Sequence, residues 1–174
     1  MSEKQKNDIG FFRALAPPGR SRESTIELDA EGVFWHDGAK VEHAKLAEAM
    51  HTWVRRHPDD GRYILSNGYD WTYFRVADAP FVVRAIRPQG DAIELLLSDG
   101  TAETWHPETS RIGANGAIYA TAKSSAEGGP FEAKFTRHAQ TSLAPYLEEC
   151  DGEVAIRLGG TRKVIKNDTV TVRK

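Results

Sequence analysis

The sequence predicts an α+β protein of two small domains with a duplicated strand–helix–strand core and mostly antiparallel sheet. Three observations carry that expectation. Short alternating segments separated by tight-turn residues fill most of the chain. Amphipathic helical spacing occurs in only two places, each reached from a strand and followed by an Asp-Gly pair. Those two places also resemble each other residue by residue.

The elements follow in order. Ile9 to Leu15 forms one or two helical turns carrying Phe11 and Phe12, and Pro17-Pro18-Gly19 ends it, since proline cannot continue a helix. Residues 1–24 are therefore expected to be an N-terminal arm. From Thr25 the pattern is strand-like, with Ile26 and Leu28 alternating with Glu27 and Asp29. Asp37-Gly38 joins Val33–His36 to Ala39–Glu42 as a two-residue hairpin, because both turn residues tolerate positive φ. That turn sets Phe34 against Val41 and His36 against Ala39. A helix is predicted from His43 to Arg56, where Leu46, Ala47, Met50, Trp53 and Val54 make one apolar stripe. Strands near 62–66 and 70–76 complete a first domain over 25–80.

The second domain, over 81–166, reads as a meander. Phe81–Arg87, Ala92–Ser98 and Thr101–His106 are joined by Pro88-Gln89-Gly90 and Asp99-Gly100. Strands follow at Ala117–Ala122 and Phe131–Thr136, with Phe131, Ala133 and Phe135 on one face. His138 to Glu149 is predicted helical, with Pro145 as a kink, and strands at Glu153–Leu158 and Thr161–Lys166 close the domain. Residues 167–174 are an expected tail.

The internal echo pairs Ala39-Lys40-Val41-Glu42-His43 with Ala133-Lys134-Phe135-Thr136-Arg137. Each run leads into a helix that stops at Asp-Gly, at Asp60-Gly61 or at Asp151-Gly152, before another strand. Each therefore sets one basic side chain, His43 or Arg137, where a strand gives way to a helix. Unpaired N–H groups at such a corner favour an anion, and arginine adds a fork that matches phosphate oxygens.

Composition narrows the function. The 174 residues include 23 Lys plus Arg against 25 Asp plus Glu, a net charge of −2, which excludes a strongly basic nucleic-acid binder. The single cysteine, Cys150, excludes a disulfide framework. Arg84 and Glu94 interrupt the best apolar runs, so no membrane span or membrane partner is expected. The polar opening 1–8 has no apolar signal region, so the expected location is the cytoplasm. No Gly-x-x-x-x-Gly-Lys-Ser/Thr loop, Gly-x-Gly-x-x-Gly turn or Gly-x-Ser-x-Gly elbow is present, and no cofactor is expected. The six histidines include none with helical metal-ligand spacing. Gly159-Gly160 before Thr161-Arg162-Lys163 reads as a hairpin turn. Without paired groups placed for proton transfer, a non-catalytic module is expected.

Several runs resemble the bacterial family named domain of unknown function 1285 (DUF1285). They are Ile26 to His43 with its Trp35-His36-Asp37-Gly38, Val76-Ala77-Asp78-Ala79-Pro80-Phe81, and Phe131 to Arg137 followed by the glycine-bearing strand at Gly159. The match reaches from about residue 25 to about residue 166. This chain has His43 where the family usually has Arg, and Asn67-Gly68-Tyr69-Asp70 where Thr-Pro-x-Glu is frequent. The resemblance implies two domains with a duplicated core, the C-terminal one superficially like a pleckstrin-homology fold. It also implies a nucleotide-like ligand at the domain interface and a part in signal transduction or stress response.

The expected function is thus a non-catalytic module binding a small anionic, nucleotide-like molecule between two related domains. Arg137 and His43 would contact the anion, Trp35 or Tyr69 would supply a stacking wall, Glu132 would orient Arg137, and Asp78 with Phe81 would form the hinge-side wall. The alternative is a protein–protein interaction domain with no small-molecule pocket.

Overall fold

Strands this short hold only when neighbours hide one face, so turn placement decides which segments pair. The computed structural model describes residues 9–168 and pairs them into two sheets. The opening segment 1–8, and the expected tail beyond Asp168, lie outside the described residues. Two units result: residues up to Pro80 with the loop Ser125–Gly129, and Phe81–Ser124 with the chain from Pro130 onward.

The first unit contains α1 (Ile9–Arg13), β1 (Glu23–Leu28), β2 (Phe34–His36), β3 (Ala39–Lys40), α2 (Ala44–Trp53), β4 (Val54–Arg56), β5 (Tyr63–Ser66) and β6 (Trp71–Val76). Its sheet runs in the order β3-β2-β1-β6-β5-β4. Only the central pair, β1 with β6, is parallel. The Asp37-Gly38 hairpin sets His36 opposite Ala39, the register its sequence predicts, with Asp37 at φ 51° and Gly38 at φ 76°. α2 ends three residues before the expected Arg56. Val54 leaves the helix to pair with Leu65 and is 1% exposed, so sheet burial overrides the helical stripe there. On the sheet face away from Phe34, Phe12 of α1 packs with Ile64 and Trp71, and the Trp71 indole N–H donates to Phe11 O at 3.2 Å. Gly128 of the Ser125–Gly129 loop lies against Arg56 on β4.

The second unit contains β7 (Phe81–Gln89), β8 (Ala92–Leu97), β9 (Ala102–Thr104), β10 (Arg111–Ile112), β11 (Ile118–Ala122), β12 (Phe131–Phe135), α3 (Arg137–Ser142), β13 (Leu147–Cys150), β14 (Glu153–Leu158) and β15 (Thr161–Asn167). Its sheet runs β13-β14-β15-β10-β11-β12-β7-β8-β9. Phe131, Ala133 and Phe135 of β12 are buried, as their alternation predicts, and Ile93, Leu95 and Leu97 of β8 are buried as well. The helix expected over 138–149 is far shorter. α3 stops at Ser142, Pro145 sits in a 3-10 turn (Ala144–Tyr146), and Leu147–Cys150 forms β13 against β14. Proline removes the N–H that a continuing helix needs, which frees the chain to add a sheet edge.

Six strands of each sheet share one arrangement. β3-β2-β1-β6-β5-β4 has its counterpart in β12-β11-β10-β15-β14-β13, again with only the central pair, β10 with β15, parallel. In both, the helix links the third strand to the fourth. Among the described residues no helix is long and apolar enough to cross a membrane.

Candidate functional site

In the first unit the sheet face turned to α2 is filled at one end and open at the other. Leu28, Phe34 and Phe74 are buried, and the His51 ring lies 4.8 Å from that of Phe34. Towards the end that carries the Asp37-Gly38 and Asn67–Asp70 turns, a cleft of about 290 Å³ remains. Ile26 and Leu65 of the sheet and Leu46, Met50 and Trp53 of α2 give it an apolar wall, with Val41 just ahead of the helix. Leu46 is 42% exposed, so the wall meets solvent. A helix stripe that stands away from the sheet side chains facing it leaves space that packing normally removes.

Polar groups enter from His36 and from the turn into β6, as Asn67, Asp70 and Thr72. Asn67 Oδ1 accepts the N–H groups of Tyr69 and Asp70, each at 2.9 Å, which shapes the turn. Asp70 Oδ1 accepts from Arg22 Nη1 at 2.5 Å and from Trp71 N–H at 2.9 Å. Burial pushes the Asp70 carboxyl up, but these two donors and the charges of Arg22 and Arg20 outweigh it and hold it below the ordinary range. Arg22 is tied down elsewhere too: it donates to Trp71 O at 2.8 Å and, through Nη2, to Ala14 O and Leu15 O at 3.3 and 3.2 Å. Among the described residues no Lys or Arg lines the cleft. The cavity therefore shows a bound molecule an apolar wall, one carboxylate, one imidazole, one amide and one hydroxyl.

The residues singled out in the sequence lie elsewhere, four in the first unit and three in the second. His43 is the N-cap of α2, and its Nδ1 accepts Leu46 N–H at 3.2 Å. A ring nitrogen that accepts this bond fills the place where an anion would sit. Trp35 is half-buried, with its indole N–H bonded to Asp29 Oδ2 at 2.8 Å. Tyr69 is 74% exposed between the lining residues Asn67 and Asp70. Asp78 is half-buried in the link from β6 to β7. Phe81 is a core side chain, 1% exposed, with its ring 5.4 Å from that of Phe131, so it walls no open space. Glu132 does not orient Arg137: Arg111 grips its two oxygens at 2.6 and 3.0 Å. Arg137 is exposed at the first position of α3, and its guanidinium has no partner among the described residues.

The helix stripe of Leu46, Met50 and Trp53 was legible, but it reads as core. Nothing in the spacing says that the opposing sheet positions leave a gap. The dipeptides Trp35-His36 and Trp105-His106 diverge in the same way. Trp105 is 3% exposed and bonded to Ser110 Oγ at 2.9 Å, whereas His36 reaches the cleft. Beside Gly159, the Asp91 carboxyl carbon would lie 2.3 Å from any added Cβ, so an acid faces that hairpin turn. Among the described residues no group of His, Cys, Asp and Glu could hold a metal ion.

No family model matches the chain, and no curated protein matches it. Two solved structures do. A DUF1285 family protein from Silicibacter pomeroyi DSS-3 superposes with a TM-score of 0.64 at 18% identity, covering 89% of this chain and 92% of that one. A DUF1285 family protein from Shewanella baltica OS155 gives 0.54 at 16% identity, covering 72% of this chain and 94% of that one. The chain has the fold of the solved DUF1285 family proteins.

Proposed function

We propose that this protein is a non-catalytic cytoplasmic module that binds a small molecule in the cleft between α2 and the first sheet, in a signalling or stress-response role. The cleft carries this reading: about 290 Å³, open to solvent, with an apolar wall and few polar groups, near the lower size of small-molecule sites. The carboxylate is paired with Arg22 and the imidazole lies 3.7 Å from Asp37, so each has a partner other than the other and they offer binding contacts rather than an acid–base couple. The rival protein-interaction reading expects no such pocket. A thermal-shift screen of small apolar and amphipathic compounds tests the proposal, with Leu46→Trp as the control that fills the cleft. Compounds that stabilise the wild type and not the variant support it. A variant that responds as the wild type does places binding elsewhere.

Arg137 favours a second reading, an anionic, nucleotide-like ligand held by the second unit. Because His43 is engaged as a helix cap, this reading rests on Arg137 alone. Unchanged nucleotide binding in Arg137→Ala would remove it. The shared six-strand order and the sequence echo support a duplication. The pleckstrin-homology likeness of the second unit is taken as one of fold and not of lipid binding, since Arg162 and Lys163 are paired with Glu153 and Glu108.

A further inference from the structure

Resting on the cleft as the binding site, we infer that its ligand is a small amine: an apolar body along Leu46, Met50 and Trp53, and a cationic head at Asp70. The charge around the cleft is one-sided. Among the described residues Asp70 is the only carboxylate in the lining, and no Lys or Arg joins it. Its counter-ion, Arg22, is not a lining residue; its guanidinium is held by Asp70 Oδ1, by Trp71 O and by the carbonyls of Ala14 and Leu15. Asp70 Oδ1 is occupied by Arg22 and by Trp71 N–H, while Oδ2 takes no bond among the described residues and the side chain is 49% exposed. The ion pair thus points its negative end at the cavity and its positive end at the arm. The Asn67 carbonyl is already engaged by two backbone N–H groups. An ammonium group satisfies the free carboxylate oxygen, whereas a carboxylate in its place would face Asp70 with only Arg22, already bonded to Oδ1, and Arg20 to offset the repulsion.

The size agrees. About 290 Å³ holds roughly ten waters at liquid density, room for one ring with a short chain. Partial exposure and the presence of Arg22 keep the charge preference modest, on the order of fivefold in Kd.

The test compares three probes of one shape: 2-phenylethylamine, 2-phenylethanol and phenylacetate. Amide and indole N–H shifts of Leu46, Trp53 and Trp71 report binding to the full chain. The expected order is amine, then alcohol, then carboxylate, with the amine advantage shrinking as salt rises from low to about half-molar. Asp70→Asn, folded by circular dichroism, should bring amine and alcohol to equal affinity; the salt titration needs no variant. A carboxylate that binds as tightly as the amine, or a salt-independent ranking, overturns the inference while leaving the cleft as a site. No response at these residues from any probe overturns both.

Discussion

The two sheets share six strands in one order, yet their helices do opposite things. α3 is six residues long and, with its C-cap, presents Ala139 and Leu143, both 0% exposed. Alanine lets a short helix lie close, and the leucine one turn later fills what remains. α2 is ten residues long and carries Leu46, Met50 and Trp53 along one side. Those larger side chains hold the helix off the end of the sheet, and Leu46 stays 42% exposed. The second unit also adds β7, β8 and β9 beside β12, whereas β3 in the first unit remains an edge. One strand order therefore supports a filled core in one unit and an open cleft in the other. Helix length and side-chain size at the helix–sheet contact make the difference.

The sharpest way to break this comparison is to truncate the leucine each helix, or its C-cap, presents. Leu143→Ala should cost about 2–5 kcal/mol, because a fully buried side chain leaves a cavity. Leu46→Ala should cost under about 1 kcal/mol, since its side chain is already partly in water. Urea unfolding monitored separately by tryptophan fluorescence and far-UV circular dichroism reads both. Equal costs would mean that the cleft is closed in solution.

The equivalent last turns of the two sheets give the next test. Gly68 has φ 86° with open space around it, while Gly159 has φ 53° and its added Cβ would lie 2.3 Å from Asp91 Cγ. Gly68→Ala should lose roughly 1–2 kcal/mol from the left-handed backbone alone. Gly159→Ala adds overpacking and should lose roughly 2–4 kcal/mol. In an Asp91→Gly background the excess should disappear. If it persists, Gly159 owes its cost to backbone conformation only.

Much of this was written locally in the sequence. The Asp37-Gly38 and Asp99-Gly100 turns, the alternation of β12, and the strands on either side of Gly159-Gly160 follow from side-chain period and turn chemistry. Longer-range competition was not legible. Val54 continues a helical stripe, but its burial against Leu65 pulls it into β4. Leu147–Cys150 lacks a strand pattern and becomes β13 because β14 offers it an edge. The cleft was hidden for a related reason: a stripe tells which side of a helix is apolar, not what stands opposite. The Glu132–Arg111 pair joins residues 21 apart, beyond any local signal.

A pH experiment sharpens the contrast between the filled and the open unit. Asp99 is 8% exposed and bonded to Lys123 Nζ at 2.6 Å, with Thr101 donating from both its hydroxyl and its backbone N–H. Burial pushes this carboxyl up, but the donors win and hold it below the ordinary aspartate range. A lowered folded-state pKa adds stability that is present above the unfolded value and lost as pH falls through the folded one. Asp99→Asn should therefore destabilise by about 1.5–3 kcal/mol near neutrality and by much less below about pH 3. Asp70 is also held low, yet it is half exposed, so Asp70→Asn should change the acid limb less. Thermal melts of both variants across pH decide this. A larger acid effect from Asp70 would put the greater charge-dependent stability in the open unit.

The smallest effect separates the two helix caps. Thr136 Oγ1 accepts Ala139 N–H at 3.2 Å, and His43 Nδ1 accepts Leu46 N–H at the same distance. A hydroxyl is a preferred cap and an imidazole is not, so the helix beside the cleft starts from the weaker anchor. Thr136→Ala should cost about 1 kcal/mol, while His43→Ser should stabilise the first unit by a few tenths of a kcal/mol. Hydrogen exchange of the Leu46 and Ala139 amides reads each helix start directly. Slower exchange at Leu46 in His43→Ser, with ligand response retained, would mean that the cleft tolerates a firmer helix. Lost response would mean that binding draws on the looseness of that first turn.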